Sequence, residues 1–124
     1  MEAGATFALT QAVFDPRTME QACAAIKDIG IPVFAGVLPL LSSRQAEFLH
    51  NEFPGISIPE DVRQRMSGAG PDKAAMAAEG MKIARELVDA FRQCADGLYL
   101  IPPPNRAPIA VELIQHIRAQ AAKD

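Results

Sequence analysis

Phe7-Ala8-Leu9-Thr10-Gln11-Ala12-Val13-Phe14, followed at once by Asp15-Pro16, decides the fold of this chain. The first eight of these residues form a mostly apolar run of strand length. Such near-continuous hydrophobicity suits a parallel strand buried on both faces. Asp15 then offers an N-cap, and Pro16 a first helical residue whose missing N–H is no loss there. A stripe at Met19, Ala22/Cys23, Ile26 and Ile29 continues at helical spacing, and Gly30 is a stop signal. A strand that runs straight into a helix is the opening half of a strand–helix–strand unit.

The same alternation continues outward from this unit. Residues 31–38 (IPVFAGVL) form a second buried strand, with Pro32 tolerable at its start. Ser42 with Gln45 three residues later is a capping-box pattern and opens a helix that runs to about Glu52. Pro54-Gly55 ends it, and Pro59-Glu60-Asp61 opens a short helix. Residues 67–71 (SGAGP) are the clearest loop, too short to link two domains. Asp72 starts the longest helix, to about Cys94, on a stripe of Ala74, Ala77, Met81, Ala84, Val88 and Phe91. Leu98-Tyr99-Leu100-Ile101 is a third strand, and Pro102-Pro103-Pro104 cannot extend a ladder. Asn105 is a cap for a last helix. The order β-α-β-α-α-α-β-α predicts an α/β fold with parallel strands (about 7–14, 33–38 and 98–101) and right-handed helical crossovers, one domain over residues 1–124. In such folds ligands meet the loops after the C-terminal ends of the strands. Here those are residues 11–15, 38–45 and 101–106.

Composition narrows the functional classes. Of 124 residues 49% are apolar, which excludes global disorder. Twelve basic against fifteen acidic residues give a net charge of −3, with no basic run, so an electrostatic hold on nucleic acid or anionic lipid is not expected. Every apolar run falls short of the ~18–20 residues that span a bilayer. The N-terminus has no secretory pattern, which points to the cytoplasm. Cys23 and Cys94 lie far apart in the sequence, each inside a helical pattern, and read as reduced, packed thiols. There is no GxGxxG, no phosphate-cradling Gly-Lys-Ser/Thr loop and no GxSxG elbow. His50 and His116 are single, so no metal site is expected.

What stands out is polar groups at strand ends. Gln11 interrupts an apolar strand, and burying its amide unpartnered would cost about 1–3 kcal/mol. It is either bonded to a neighbouring loop or faces a ligand. Gln45 is open to the same two readings, because the capping box accounts for it without a ligand. Arg106 stands in the first turn of a helix, where a cation opposes the macrodipole, so it either meets an anion or carboxylate or is turned to solvent.

Together these residues are familiar. Glu2-Ala3-Gly4-Ala5, leading into Thr10-Gln11-Ala12-Val13-Phe14-Asp15, resembles the central segment of the methylenetetrahydrofolate reductase family. So do Ala35-Gly36-Val37-Leu38-Pro39-Leu40, Arg44-Gln45, residues 56–62 and the late Asn105-Arg106, in the family's order and spacing over almost the whole chain. Leu49-His50-Asn51-Glu52 with Pro54-Gly55-Ile56 is similar to bacterial forms, including those fused to a homocysteine methyltransferase domain.

The resemblance implies the C-terminal three β/α units of a TIM (β/α)8 barrel. It implies a flavoenzyme that passes electrons from NAD(P)H through FAD to 5,10-methylenetetrahydrofolate, giving 5-methyltetrahydrofolate for methionine synthesis. By the same resemblance, Gln11 contacts the folate pterin and Gln45 lines the substrate site. Leu49 takes the place of an aromatic that often stacks on the ligand, and Pro104 and Arg106 add folate contacts. The family's proton-transfer acid and most flavin contacts lie in the first five strands. This segment is therefore expected to hold no catalytic residue and to be inactive alone. Its expected partners are the folate substrate and either the missing N-terminal barrel half or a second copy. Glu2–Ala5 reads as the end of a helix with nothing before it, which implies a loose arm or a chain that continues upstream. The alternative is a free-standing α/β interaction module that self-associates or binds a partner.

Overall fold

Three of the helices start where a short polar side chain stands ready to accept. In the computed structural model, which describes residues 4–102 and 105–123, Asp15 Oδ1 accepts from the Arg17 N–H at 3.0 Å and Pro16 opens α1 (Pro16–Lys27). Ser42 Oγ accepts from the Gln45 N–H at 3.0 Å and opens α2 (Ser43–Glu52). Asp72 caps α4 (Lys73–Phe91) through the Ala75 N–H. Between these last two lies α3 (Glu60–Gly68), with Glu60 and Asp61 in its first turn, where they favour the dipole. Gly30, at φ +87°, turns the chain out of α1 and donates to the Ile26 and Lys27 carbonyls.

The strands are β1 (Ala8–Ala12), β2 (Val33–Val37) and β3 (Gly97–Leu100), and α5 (Ala107–Lys123) follows the last of them. β1 is shorter than the expected 7–14 at both ends, β2 ends one residue before 38, and β3 lies one residue earlier than 98–101. The last helix begins two residues after Asn105, which itself takes a left-handed conformation at φ 61°. The sheet order is β1-β2-β3, all parallel. Sequence neighbours are spatial neighbours throughout, with no reversal of strand order. That is the arrangement of a barrel arc; a doubly wound sheet switches direction.

The two faces of this arc differ. Val33, Ala35 and Val37 are fully buried beneath the helical layer, in which α4 packs on β2 and against α1, α3 and α5. Leu98 and Leu100 join the same core, with Met19, Met66, Val88, Phe91 and Leu113 from the helices. Each large apolar side chain buried this way contributes about 1.5–3 kcal/mol. The opposite face carries Phe34, Gly36, Gly97 and Tyr99, beside Phe7 and Leu9, which are 54% and 59% exposed. Phe7 meets Phe34 edge to face at 6.0 Å. Burial of the first strand on both faces is therefore not what the structure has. The helices cover one side, and the other is bare over these residues. The outer edges of β1 and β3 have no strand beside them among the described residues.

At the start of β2 and β3, Asp96 Oδ2 accepts from the Val33 N–H while the Asp96 N–H donates to the Val33 carbonyl, both at 2.9 Å. α4 ends at Phe91, earlier than the predicted Cys94, which sits in the turn that follows. The fold brings Cys94 to Cys23 despite their distance in sequence. Burial first, and then the neighbouring Cys94, push the buried Cys23 thiol up to about 12. No helix among the described residues is long and apolar enough to cross a membrane.

Candidate functional site

Parallel strands present their C-terminal ends together, and in this arc those ends carry Gln11, the 38–45 loop and Arg106. The local structure at Gln11 is set by a break in the β1 ladder. Between Leu9 and Ala12 the register with β2 shifts. The Thr10 hydroxyl fills the gap, accepting from the Gly36 N–H at 2.9 Å and donating to the Gln11 carbonyl at 2.8 Å. From β3 the Tyr99 hydroxyl reaches across and donates to the Thr10 carbonyl. Gly36 leaves the room for this, since a Cβ there would lie 2.8 Å from the Tyr99 ring and hydroxyl. Irregularities of this kind re-aim side chains beside functional sites.

The Gln11 side chain is exposed, so the desolvation cost anticipated from its sequence setting does not arise. Its amide lies against Gly55 of the α2–α3 loop, where a Cβ would sit 2.6 Å from Oε1, and it makes no hydrogen bond among the described residues. It borders the bare face with both donor and acceptor free. Gln45 is placed differently. Its Oε1 accepts from the Leu41 N–H at 2.7 Å, which fixes the loop before α2 and leaves the amide nitrogen to donate elsewhere. The capping reading therefore holds, with the bond made one residue earlier than the usual box. Leu49 is 7% exposed and packed in the core beneath α2, where it supports the wall without lining an open surface. Pro104 lies outside the described residues.

Arg106 is exposed and borders two cavities. One, of about 540 Å³, is lined also by Leu41, Ser42, Arg44, Lys73 and Met76. The other, of about 330 Å³, adds Arg85, Met81 and Glu112. Lys73, Gly55 and Tyr99 are neighbours of the site that sequence reasoning did not single out. A further 330 Å³ hollow between α1, α3 and α4 holds Arg65, already clamped by Glu79 and Glu86 at 2.7 and 2.8 Å. His50 is a structural acceptor for the Ile58 N–H at 3.0 Å, and His116 pairs with Asp89 at 3.0 Å. The described residues hold no group of three or more His, Cys, Asp or Glu side chains placed for a metal ion.

Comparison with known proteins follows this geometry. The family model described as methylenetetrahydrofolate reductase matches residues 1–102. No curated protein matches the chain. Among solved structures, an uncharacterized protein from Clostridium thermocellum that binds two copies of 5-methyl-5,6,7,8-tetrahydrofolic acid is similar, with a TM-score of 0.59 at 17% identity. The match covers 95% of this chain and 45% of that one, so the chain spans less than half of its structural neighbour. Likeness at this identity is likeness of fold.

Proposed function

The chain belongs to the methylenetetrahydrofolate reductase family, and on that premise we propose that it supplies the folate-side wall of a barrel that reduces 5,10-methylenetetrahydrofolate to 5-methyltetrahydrofolate, with electrons passing from NAD(P)H through FAD. The observation that carries this reading is the one-sided arc. Its helix face is closed, its inner face is bare, and free polar groups stand at its C-terminal rim. The folate ligand of the structural neighbour supports it as an analogy for the ligand class.

In this reading the free amide of Gln11 meets the alternating donors and acceptors on a pterin edge. The amide nitrogen of Gln45 donates to the same ligand. Arg106 takes an acidic group at the ligand's other end. FAD, when bound, supplies the hydride. The residues here do not fit a flavin site of their own: the inner face offers Phe7, Leu9 and Phe34 as one open wall, with no glycine-rich cradle for a pyrophosphate. No step is therefore assigned to this segment beyond binding and orienting the folate, and the isolated chain is inactive. The complete protein works in the cytoplasm, where no disulfide is required of its thiols.

The test is co-expression with a polypeptide that supplies the first five strands. The chain alone purifies colourless, and the pair carries a flavin absorbance band and reduces the folate. Stoichiometric FAD on the chain alone would refute the division of labour. A second reading is favoured by the exposure of Phe7 and Leu9 on a sheet whose two edges have no neighbouring strand among the described residues: a free-standing module that self-associates through that face. Light scattering at several concentrations separates the two, because the second reading requires a defined dimer that the complementing polypeptide does not dissociate.

A further inference from the structure

The two cysteines sit on different elements and meet at the end of the sheet away from the rim. Cys23 lies in the second half of α1 and is 1% exposed. Cys94 lies in the turn between α4 and β3, partly exposed and packed against the same core. Their side chains are hydrogen-bonded to each other, with the Cys23 S–H donating.

Backbone bonds hold both sulfurs where they are. The Cys94 N–H donates to the Phe91 carbonyl at 3.1 Å. Two residues on, Asp96 is bound to Val33 through its side chain and its own N–H, both at 2.9 Å. Val33 opens β2, against which α1 packs, so α1, the turn and the starts of β2 and β3 form one braced corner. The thiols are unequal within it. Cys23 is sealed in the core, and burial keeps its proton on. The charges acting on it are Lys27, which favours its thiolate, and Asp96, which opposes it. Cys94 is the thiol that a small solute reaches, and Cys23 is its neighbour on the closed side.

We infer that Cys23 and Cys94 are a redox pair, which a peroxide closes into a disulfide within one chain, between α1 and the turn before β3. The Cys94 thiolate attacks the peroxide, an S–O bond forms and the O–O bond breaks. Cys94 is oxidised to a sulfenic acid, and the alcohol or water that leaves takes up the proton Cys94 gave up. The Cys23 sulfur then attacks the Cys94 sulfur. The S–S bond forms, the S–O bond breaks, and the hydroxyl leaves with the Cys23 proton as water. Two thiols have given two electrons, and the peroxide has taken them. The bond encloses β2, α2, α3 and α4 in one covalent loop, which constrains the unfolded chain and braces the corner. It lies at the N-terminal ends of β2 and β3, so Gln11, Gln45 and Arg106 are untouched and the inference is independent of the folate reading.

The experiment treats the full chain with stoichiometric hydrogen peroxide. Tryptic digestion without reductant then gives the peptide of Cys23 joined to that of Cys94, and both free thiols are lost in step. The thermal midpoint rises by about 10 °C, and dithiothreitol reverses all three changes. In Cys23→Ala the reaction stops at the sulfenic acid, and dimedone labels Cys94. In Cys94→Ala, Cys23 keeps its thiol. The parent chain decides the matter even if a variant folds poorly. Two thiols that survive the peroxide, a lasting sulfenic acid without a cross-link, a disulfide between two chains in place of the internal one, or a cross-link that leaves the midpoint unraised would each overturn the inference.

Discussion

Replacing Gly80 by alanine tests the packing that shapes the rim. Gly80 is a buried residue in the middle of α4, where alanine would ordinarily add about 1 kcal/mol of helix stability. Here a Cβ would fall 1.7 Å from the Leu40 carbonyl oxygen and 2.7 Å from its carbon. Contacts under 3.0 Å essentially do not occur for real Cβ atoms, so α4 and the 39–41 loop must move apart by more than 1 Å. The obstacle is backbone, which cannot rotate away as a side chain would. The cost therefore lies at the upper end for overpacking, about 3 kcal/mol, and the net loss is about 2 kcal/mol. With an unfolding entropy of about 2.1 cal/mol/K per residue, a chain of 124 residues has about 0.26 kcal/mol/K, so the midpoint falls by about 8 °C. Thermal unfolding followed by far-UV circular dichroism reads this directly. Gly68→Ala, where a Cβ would meet nothing within 4 Å, is the control and is neutral or slightly stabilising. A Gly80→Ala chain as stable as the parent, or more stable, would mean that α4 does not press on this loop.

Asp96→Ala leaves the part-buried Val33 N–H without its acceptor and costs about 1–3 kcal/mol, measured as a lower urea midpoint at unchanged slope. Tyr99→Phe removes the one hydroxyl that ties β3 to the β1 irregularity and costs about 1 kcal/mol, with faster amide exchange at Thr10 and Gln11 as its local signature. The Arg65 hydrogen bond holds the Glu86 carboxyl below the usual glutamate range, against a smaller opposing effect of burial. A depressed folded-state value stabilises above the unfolded value and is lost as pH falls through the folded one, so stability declines on acidification below about pH 4.3. Glu86 is more than half exposed, so this amounts to less than about 1 kcal/mol, and Arg65→Gln flattens the acid limb of a stability–pH curve.

Local chemistry was legible in the sequence, and long-range chemistry was not. Asp15, Ser42 and Asp72 cap the helices they announce, because a cap needs only its own next three residues. The parallel arc follows from strands alternating with helices. The disposition of Gln11 could not be read the same way, because it depends on Tyr99 taking the carbonyl of Thr10, 89 residues from it in sequence, across the space left by Gly36. Its exposure depends on what covers the inner face, and no apolar pattern in β1 itself reports that. Leu49 looked like a ligand neighbour by its motif, but helical periodicity turns it into the core. The cation-lined cavity joins positions 44, 73 and 106, which only the packing of α2, α4 and α5 brings together.

The two faces of the sheet divide stability from function. The helix side is finished: Val33, Ala35 and Val37 are fully covered, and Phe91, Met66 and Leu113 seal the layer without help from any other strand. Much of the apolar area that drives folding is already out of water there. The inner side contributes little to that sum, since Phe7 and Leu9 remain largely in solvent. An arc built this way draws its stability from its outer layer and presents its inner wall in place before anything binds to it. Preorganisation of this kind lowers the cost of docking a complementary wall or a flat ring against Gln11, because the Thr10–Gly36–Tyr99 bonds have already fixed the backbone there. Under the proposed folate reading, a wall on one side would not exclude water from a reacting ring, so binding would precede completion of a barrel and chemistry would wait for it.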